Sequence, residues 1–519
     1  MKTSKVAASL AVVMLGGVVA ACGNGGTSPG SSSEQGGGND SKASFTWLVY
    51  DRPEGRFQED WEILKILQEK TNTELKFEVT SQEGLAEKRQ IMIATNSVTD
   101  FIQVSNQEGR EHGPDGIFLN LKDYLDIAPN LKKFYETYPE AEAMATGSDG
   151  GLYTVPILEG DPEGKGFNFV WMARQDLIDE HNLQPPTTLD EFYEFLKALK
   201  ELYPDTYPLT SNSPVGDVGL YTVFGRAFTG IQGFFNLDPE TDEYAFAPYH
   251  DGYRDALEYM YKLYEEKLLD PEYALITGPQ WEERMLTGKS LVTYFWKADI
   301  DPMIGKAIEA GAPASYDLDA IPMFAADGIK PYQFSRNQVG ATGRAISGKV
   351  KDKEAAVKLL DFMVGEEGTN LLSLGILDKT YTIVDGQPRY LEEFGTAPYA
   401  PLRKDFGVWY DNITMNNAVS RAAWEAGLDE KSLDINKRYE PFIIPAPKAI
   451  VKTDEELELE KSKLTNLNKY LEQKITEFVT GRTPINDATY QEFIDQARTM
   501  GADELLDMYN TSYKRTYGS

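Results

Sequence analysis

FTWLVYDRPEGRFQEDWEILKILQEKTNTELKFEVT, Phe45 to Thr80, holds a strand, a helix and a second strand in order. Phe45, Trp47 and Val49 alternate with Thr46, Leu48 and Tyr50, the period-two pattern of a strand. Phe57, Trp61, Leu64 and Leu67 then recur at spacings of 4, 3 and 3, an amphipathic helix that ends near Asn72. Leu75, Phe77 and Val79 alternate again. A helical stretch from Leu85 to Thr95 and the apolar run FIQVS, Phe101 to Ser105, complete a β-α-β-α-β order. That order implies a parallel sheet with helices on its faces. Ligands of such sheets sit beyond the carboxyl ends of the strands. Tyr50, Asp51 and Arg52, after the first strand, therefore stand at a candidate crevice with residues 105–107 after the third.

Working outward, the middle of the chain turns helical. PPTTLDEFYEFLKALKELYP carries Thr188 and Glu191 as a capping box, and Leu189, Phe192, Leu196, Leu199 and Tyr203 as one apolar stripe. GYRDALEYMYKLYEEKLLDP and KDKEAAVKLLDFMVGEEG are comparable units, and the last 50 or so residues read as helices that dock on the body. No tandem repeat appears, and a length of 519 residues suggests about three domains.

The amino-terminal end is of another kind. Lys2 and Lys5 precede an apolar run, Val6 to Val19, of signal-peptide size and too short to span a bilayer. Cys22, the single cysteine, stands between this run and GNGGTSPGSSSEQGGGNDSK, which has nothing to bury. Val19-Ala20-Ala21-Cys22 resembles a bacterial lipobox, in which the cysteine is lipidated and becomes the mature amino terminus. The expectation is a signal peptide over 1–21, a flexible tether over 22–43, and a body without disulfides or a cysteine-based zinc site. Eighty-two acidic against 51 basic residues, a formal charge of −31, argue against broad nucleic-acid binding and against adhesion to anionic lipid beyond an anchor.

Catalytic signals are few. His112, His181 and His250 form no metal-ligand pair, and there is no G-x-S-x-G elbow, P-loop or G-x-G-x-x-G after a strand. With 82 acidic residues, a pair of carboxylates suited to glycoside hydrolysis is expected by chance. No metal and no cofactor are expected. Aromatic and polar residues at strand ends are more informative. LVTYFWKADID runs from an apolar strand into Trp296 and Asp299, and a sugar stacks its apolar face on an indole while a carboxylate accepts from its hydroxyls. Trp409 and Tyr410 in VWYDN, Trp171 and Arg174 in FVWMARQDL, and Arg336 in FSRNQVG carry similar chemistry. Trp47, Trp61 and Trp424 read as core.

VAAC, NSVTDFIQVS, GLYTVP, WMARQDLIDEHNLQPPTTLDEFYEFLKALKE, MLTGKSLVTYFW, KDKEAAVKLLDFMVGEEGTNLLSLG, ITEFVTGRTPIND and ELLDMYNTSYKR occur in that order along nearly the whole chain. Together they resemble the extracellular solute-binding lipoproteins of carbohydrate-type (family 1) ABC importers, in their LplA-like Gram-positive subgroup. The resemblance implies an α/β, two-lobed periplasmic-binding-protein-like fold. Each lobe is a mostly parallel sheet flanked by helices, with a hinge between and extra helices at the carboxyl end. Lobe 1 would comprise 44–158 plus 332–376, and lobe 2 159–331 plus 377–519, with crossings near 154–160, 330–336 and 376–384. The implied function is capture of an oligosaccharide in the cleft, by Tyr50, Asp51, Arg52, Trp171, Arg174, Trp296, Asp299, Arg336, Trp409 and Tyr410. The ligand would pass to the permease subunits of an importer, without catalysis. The implied protein is a monomer held outside a Gram-positive-type cell membrane by its lipid anchor alone. Many members carry a calcium loop where this chain has the short YPDTYPLT, so calcium is not carried over. The alternatives are a surface-anchored carbohydrate-active lyase or hydrolase, a binding protein for a non-sugar solute such as a peptide, or a ligand-sensing lipoprotein.

Overall fold

The structure, a computed structural model, describes residues 42–52, 55–160, 165–395, 398–410 and 412–518. The expected signal peptide, Cys22 and nearly all of the expected tether lie outside the described residues. Strand Ala43–Asp51 pairs in parallel with Thr73–Ser81, from Ala43 opposite Thr73 to Asp51 opposite Ser81. On its other side it runs parallel to Phe101–Ser105. Two more strands complete this five-stranded sheet in the order 73–81, 43–51, 101–105, 339–346, 155–158. Val339–Ile346 is antiparallel to both of its neighbours. The helix between the first two strands spans Glu62–Thr71 and buries Ile63, Leu64 and Leu67, while Trp61 sits at its N-cap. It ends at Asn72, whose φ of 51° is the left-handed conformation that asparagine tolerates. Trp47, fully buried, lies with its ring 5.2 Å from that of Phe101, tilted by 30°, in this first core.

A second sheet holds Phe169–Arg174 between Val292–Trp296 and Leu318–Ile321. Its pairs are antiparallel, not mostly parallel as the family likeness implied. The chain travels through helices between these strands, and long helical excursions return it in either direction. Trp171 centres the second core among the rings of Phe192, Phe224, Tyr294 and Phe324. Three carboxyl-terminal helices, Asp454–Val479, Asp487–Thr499 and Ala502–Tyr517, add Leu471, Phe478, Phe493 and Leu505 to it.

Residues 377–425 depart from the expected division. Tyr390, Leu402, Val408, Tyr410, Ile413 and Trp424 pack in the first core, not the second. The chain reaches the second body only with Ile435 and Tyr439, beneath the second sheet, so its third passage follows Trp424 instead of lying near 376–384. An apolar stripe specifies that a segment is buried, but not in which of two cores. Here the choice is fixed by polar contacts at the end of the first strand. Tyr410 donates its hydroxyl to the Tyr50 carbonyl at 2.8 Å and lies 3.2 Å from that of Gly55, and Asn412 Nδ2 donates to Tyr50 O at 2.9 Å.

Tyr410→Phe is expected to lower the free energy of unfolding by about 1–2 kcal/mol, because buried carbonyls lose their donor. Urea denaturation followed by far-UV circular dichroism measures it; an unchanged midpoint would show that these hydrogen bonds contribute nothing net.

Candidate functional site

A cleft of about 730 Å³ lies between the two cores. Glu159 and Arg421 reach it from the first body, and Asn168, Phe169, Arg226 and Trp296 from the second. Residues 333–337, in the chain's second passage, line it too, as do residues 446–450 and Tyr509 from the carboxyl-terminal part. Gln333 and Phe334 pair in parallel with Ile443 and Ile444, and Ser335 continues the contact by donating its amide to Ile444 O at 2.7 Å. Backbone polar groups of both segments are thereby satisfied beside the cleft.

Trp296 ends its strand at the start of a tight turn, Lys297–Asp299, and remains 38 % exposed. Phe169, directly opposite it in the antiparallel register, meets it edge to face at 4.7 Å. The indole is thus held from one side and open on another, the geometry that receives an apolar face of a ligand. Across the cleft Tyr244 and Tyr509 stack at 5.4 Å.

The polar groups are held by several separate contacts. Arg336 Nε donates to Asn168 Oδ1 at 2.5 Å and Nη2 to Phe167 O at 3.0 Å, with Glu425 at 3.6 Å. Arg226 donates to Gln232 Oε1 at 3.0 Å and Tyr294 hydroxyl at 3.3 Å, and Tyr294 donates to Gln333 Oε1 at 3.0 Å. Arg421, on helix Asn417–Glu425, has its Nε buried without a hydrogen-bond partner, and desolvation pulls its pKa below the usual guanidinium value. Lys297, next to Trp296, lies 3.9 Å over the Phe167 ring and 2.5 Å from Asn436 Oδ1. Burial pulls its ammonium pKa down to about 7, opposed by Glu425 and reinforced by the like charges of Arg336 and Arg421.

Of the residues singled out from sequence, Trp296 and Arg336 line the cleft. The others stand elsewhere. Trp171 fills the second core, and Trp409 and Tyr410 the first. Arg174 is bound to Asp176 at 2.7 and 2.6 Å and covers the Tyr316 ring at 4.1 Å. Tyr50 is buried beneath Tyr410, with Arg52 3.1 Å from its hydroxyl; Asp51 accepts from the Phe57 amide at 2.8 Å. These residues close the end of the first strand, and none lines the cleft. Asp299 is half-buried in the turn after Trp296, and desolvation raises its carboxyl pKa. Aromatic and charged types at a strand end serve packing as well as binding, and composition does not separate the two. Trp47, Trp61 and Trp424 are buried as expected.

Sequence reasoning missed Asn168, Phe169, Arg226, Arg421 and Tyr509. Phe169 carries a signal in retrospect, since it begins the strand whose Trp171 and Arg174 drew attention. Arg226, Arg421 and Tyr509 lie on helices far apart in the chain and have no local mark. Among the described residues, no group of three His, Cys, Asp or Glu side chains could hold a metal ion, and no helix is long and apolar enough to cross a membrane.

Residues 56–370 match the family of bacterial extracellular solute-binding proteins, and the chain belongs to that family. It is 26 % identical over 227 residues to the fructooligosaccharide ABC transporter substrate-binding protein FusA of Streptococcus pneumoniae, covering 40 % of this chain and 41 % of that one. It is 24 % identical over 349 residues to lipoprotein LipO of Bacillus subtilis, covering 64 % and 66 %. The matches thus span less than two thirds of either relative. The alginate-binding protein AlgQ2, solved without calcium ion, superposes with a TM-score of 0.72 at 21 % identity, over 92 % of this chain and 99 % of that one. This likeness establishes the fold.

The two tryptophans give a direct test of the placement. Trp171→Ala is expected to destabilise by about 3–5 kcal/mol, as removal of a fully buried large side chain does. Trp296→Ala should cost about 1 kcal/mol or less. Comparable losses in chemical denaturation would contradict the assignment of one to the core and the other to the cleft.

Proposed function

We propose that this chain captures an oligosaccharide in its interlobe cleft and presents it to the permease of an ABC importer, without altering it. The observation that carries the reading is the cleft itself, with Trp296 open at its wall and hydrogen-bonding side chains around it. A pyranose or furanose ring needs this combination, one apolar platform and several directed donors and acceptors. The likeness to FusA, named for fructooligosaccharides, supports the class of ligand.

The two bodies act in this reading as lobes that close on the ligand, the closed form being stabilised by contacts made to both. The likeness to LipO, named as a lipoprotein, supports an anchor at Cys22 after removal of residues 1–21. Buried acyl chains would hold the protein on the outer face of the cytoplasmic membrane. The tether would keep a monomeric body at high effective concentration near its permease.

Isothermal titration with a panel of oligosaccharides is expected to give saturable binding without product. Trp296→Ala should weaken it by about 1–3 kcal/mol, as loss of a buried aromatic contact does. Binding of peptides but of no sugar, or turnover of a bound glycan, would overturn the reading. Cys22→Ala should move the protein from the membrane fraction to the medium, and its retention on the membrane would refute the anchor.

A further inference from the structure

The charge balance of the cleft is the reverse of that of the chain. Acidic residues outnumber basic ones 82 to 51 overall. Among the described residues that line the cleft the basic side chains are five, Arg226, Arg336, Arg421, Lys448 and Lys452, against the carboxylates of Glu159, Asp217 and Glu460. Glu460 is neutralised in place: Lys452 lies 2.6 Å from it and Tyr509 donates to it at 2.7 Å. Asp217 meets Arg226 only through Gln232, whose amide nitrogen is 3.4 Å from that carboxylate.

The excess is sharpest where the two bodies face each other. Arg336, Arg421 and Lys297 all lie near Glu425, close enough that both guanidinium groups disfavour the charge on Lys297. Glu425 lies 3.6 Å from Arg336. Glu159 and Glu425 act on Arg421 through space, yet its Nε finds no acceptor. Among the described residues neither Arg421 nor Lys297 makes an ion pair, and both are drawn out of water by burial. A neutral sugar covering Arg421 could offer its donors hydroxyl oxygens but would leave its buried charge uncompensated, which costs free energy. A carboxylate would satisfy both, because the planar guanidinium presents paired N–H donors that match two carboxylate oxygens.

We propose that the ligand is anionic, an oligosaccharide of uronic acid units, one of whose carboxylates is received by Arg421 with Arg336 beside it. This rests on the oligosaccharide-binding reading above and narrows it. Trp296 takes the face of a sugar ring, and the cation cluster takes the charge that a neutral sugar lacks. The surrounding field of an acidic protein repels an anion at long range, so recognition depends on this local excess and weakens as salt screens it.

Titration calorimetry separates the two readings. The folded chain is titrated with short oligomers of galacturonate, mannuronate and glucuronate, with their methyl esters, and with neutral fructan and glucan oligomers, at low and high salt. At least one acid is expected to bind about tenfold or more tightly than its ester, the size of one good charge-assisted contact, and to weaken with salt. Arg421→Gln should reduce binding of that acid by about tenfold or more and shrink the preference for the acid over its ester. Arg421→Lys should restore part of the loss, keeping the charge without the fork. Neutral or esterified oligomers binding as tightly as the acids, or Arg421→Gln leaving acid affinity unchanged, would overturn the anionic ligand and leave the sugar carrier standing. Binding of no oligomer of either charge would overturn both. The comparison of acid with ester uses the unaltered protein, so it decides the matter even if the variants fail to fold.

Discussion

Strand Val339–Ile346 hydrogen-bonds on one side to Phe101–Ser105 and on the other to Val155–Leu158. Without it those two strands have no ladder in common, and the first sheet divides. The chain must therefore leave the first body, build most of the second, and come back before either is complete. That return makes the second passage, residues 325–338, run beside the cleft, where Gln333 and Arg336 take part in its polar network. Arg344, fully buried on the returning strand, donates to Thr414 O at 3.4 Å and links it to the segment that caps the first strand. Burial draws its pKa down to about 10. A cation of this kind survives inside a protein only where surrounding polar groups take over from water.

The same topology explains why the cleft is polar while the cores are not. Each body buries its own apolar layer around one tryptophan, Trp47 or Trp171, with aromatic neighbours at van der Waals range. The surface between them is covered by neither. It is crossed by backbone, and backbone groups there need partners such as Gln333, Ser335 and Arg336. Side chains that satisfy crossing segments are then already in position to meet a ligand.

Much of the first sheet could be read from residues 45–105, since its helix is local and its strands show period two. The helix expected to end near Asn72 ends at Thr71, and the stretch from Leu85 to Thr95 is helical from Leu85 to Ala94. Trp61 belongs to the core but marks the beginning of its helix instead of a position along the stripe. The parallel reading failed at Phe169–Arg174, whose partners come from residues 292–296 and 318–321, more than a hundred positions downstream. The placement of residues 377–425 failed for a related reason: pattern tells that a stripe is buried, not against what. At the site, Trp296 and Arg336 were visible because a strand end or a crossing carries them. Trp171, Trp409 and Tyr410 have the same local chemistry and are interior. The difference lies in which neighbours arrive from elsewhere in the chain, and that information is absent from any local window.

The wall of the cleft draws on residues inside the span that matches the family and on residues beyond it. Trp296, Arg226 and residues 333–337 fall within the span 56–370 that matches the family, whereas Arg421, Lys448, Lys452 and Tyr509 lie beyond it. Part of the cleft wall thus falls within the matched span, and the remainder comes from carboxyl-terminal segments after it. None of these later residues belongs to a strand of either main sheet, so their side chains can change without altering a sheet ladder.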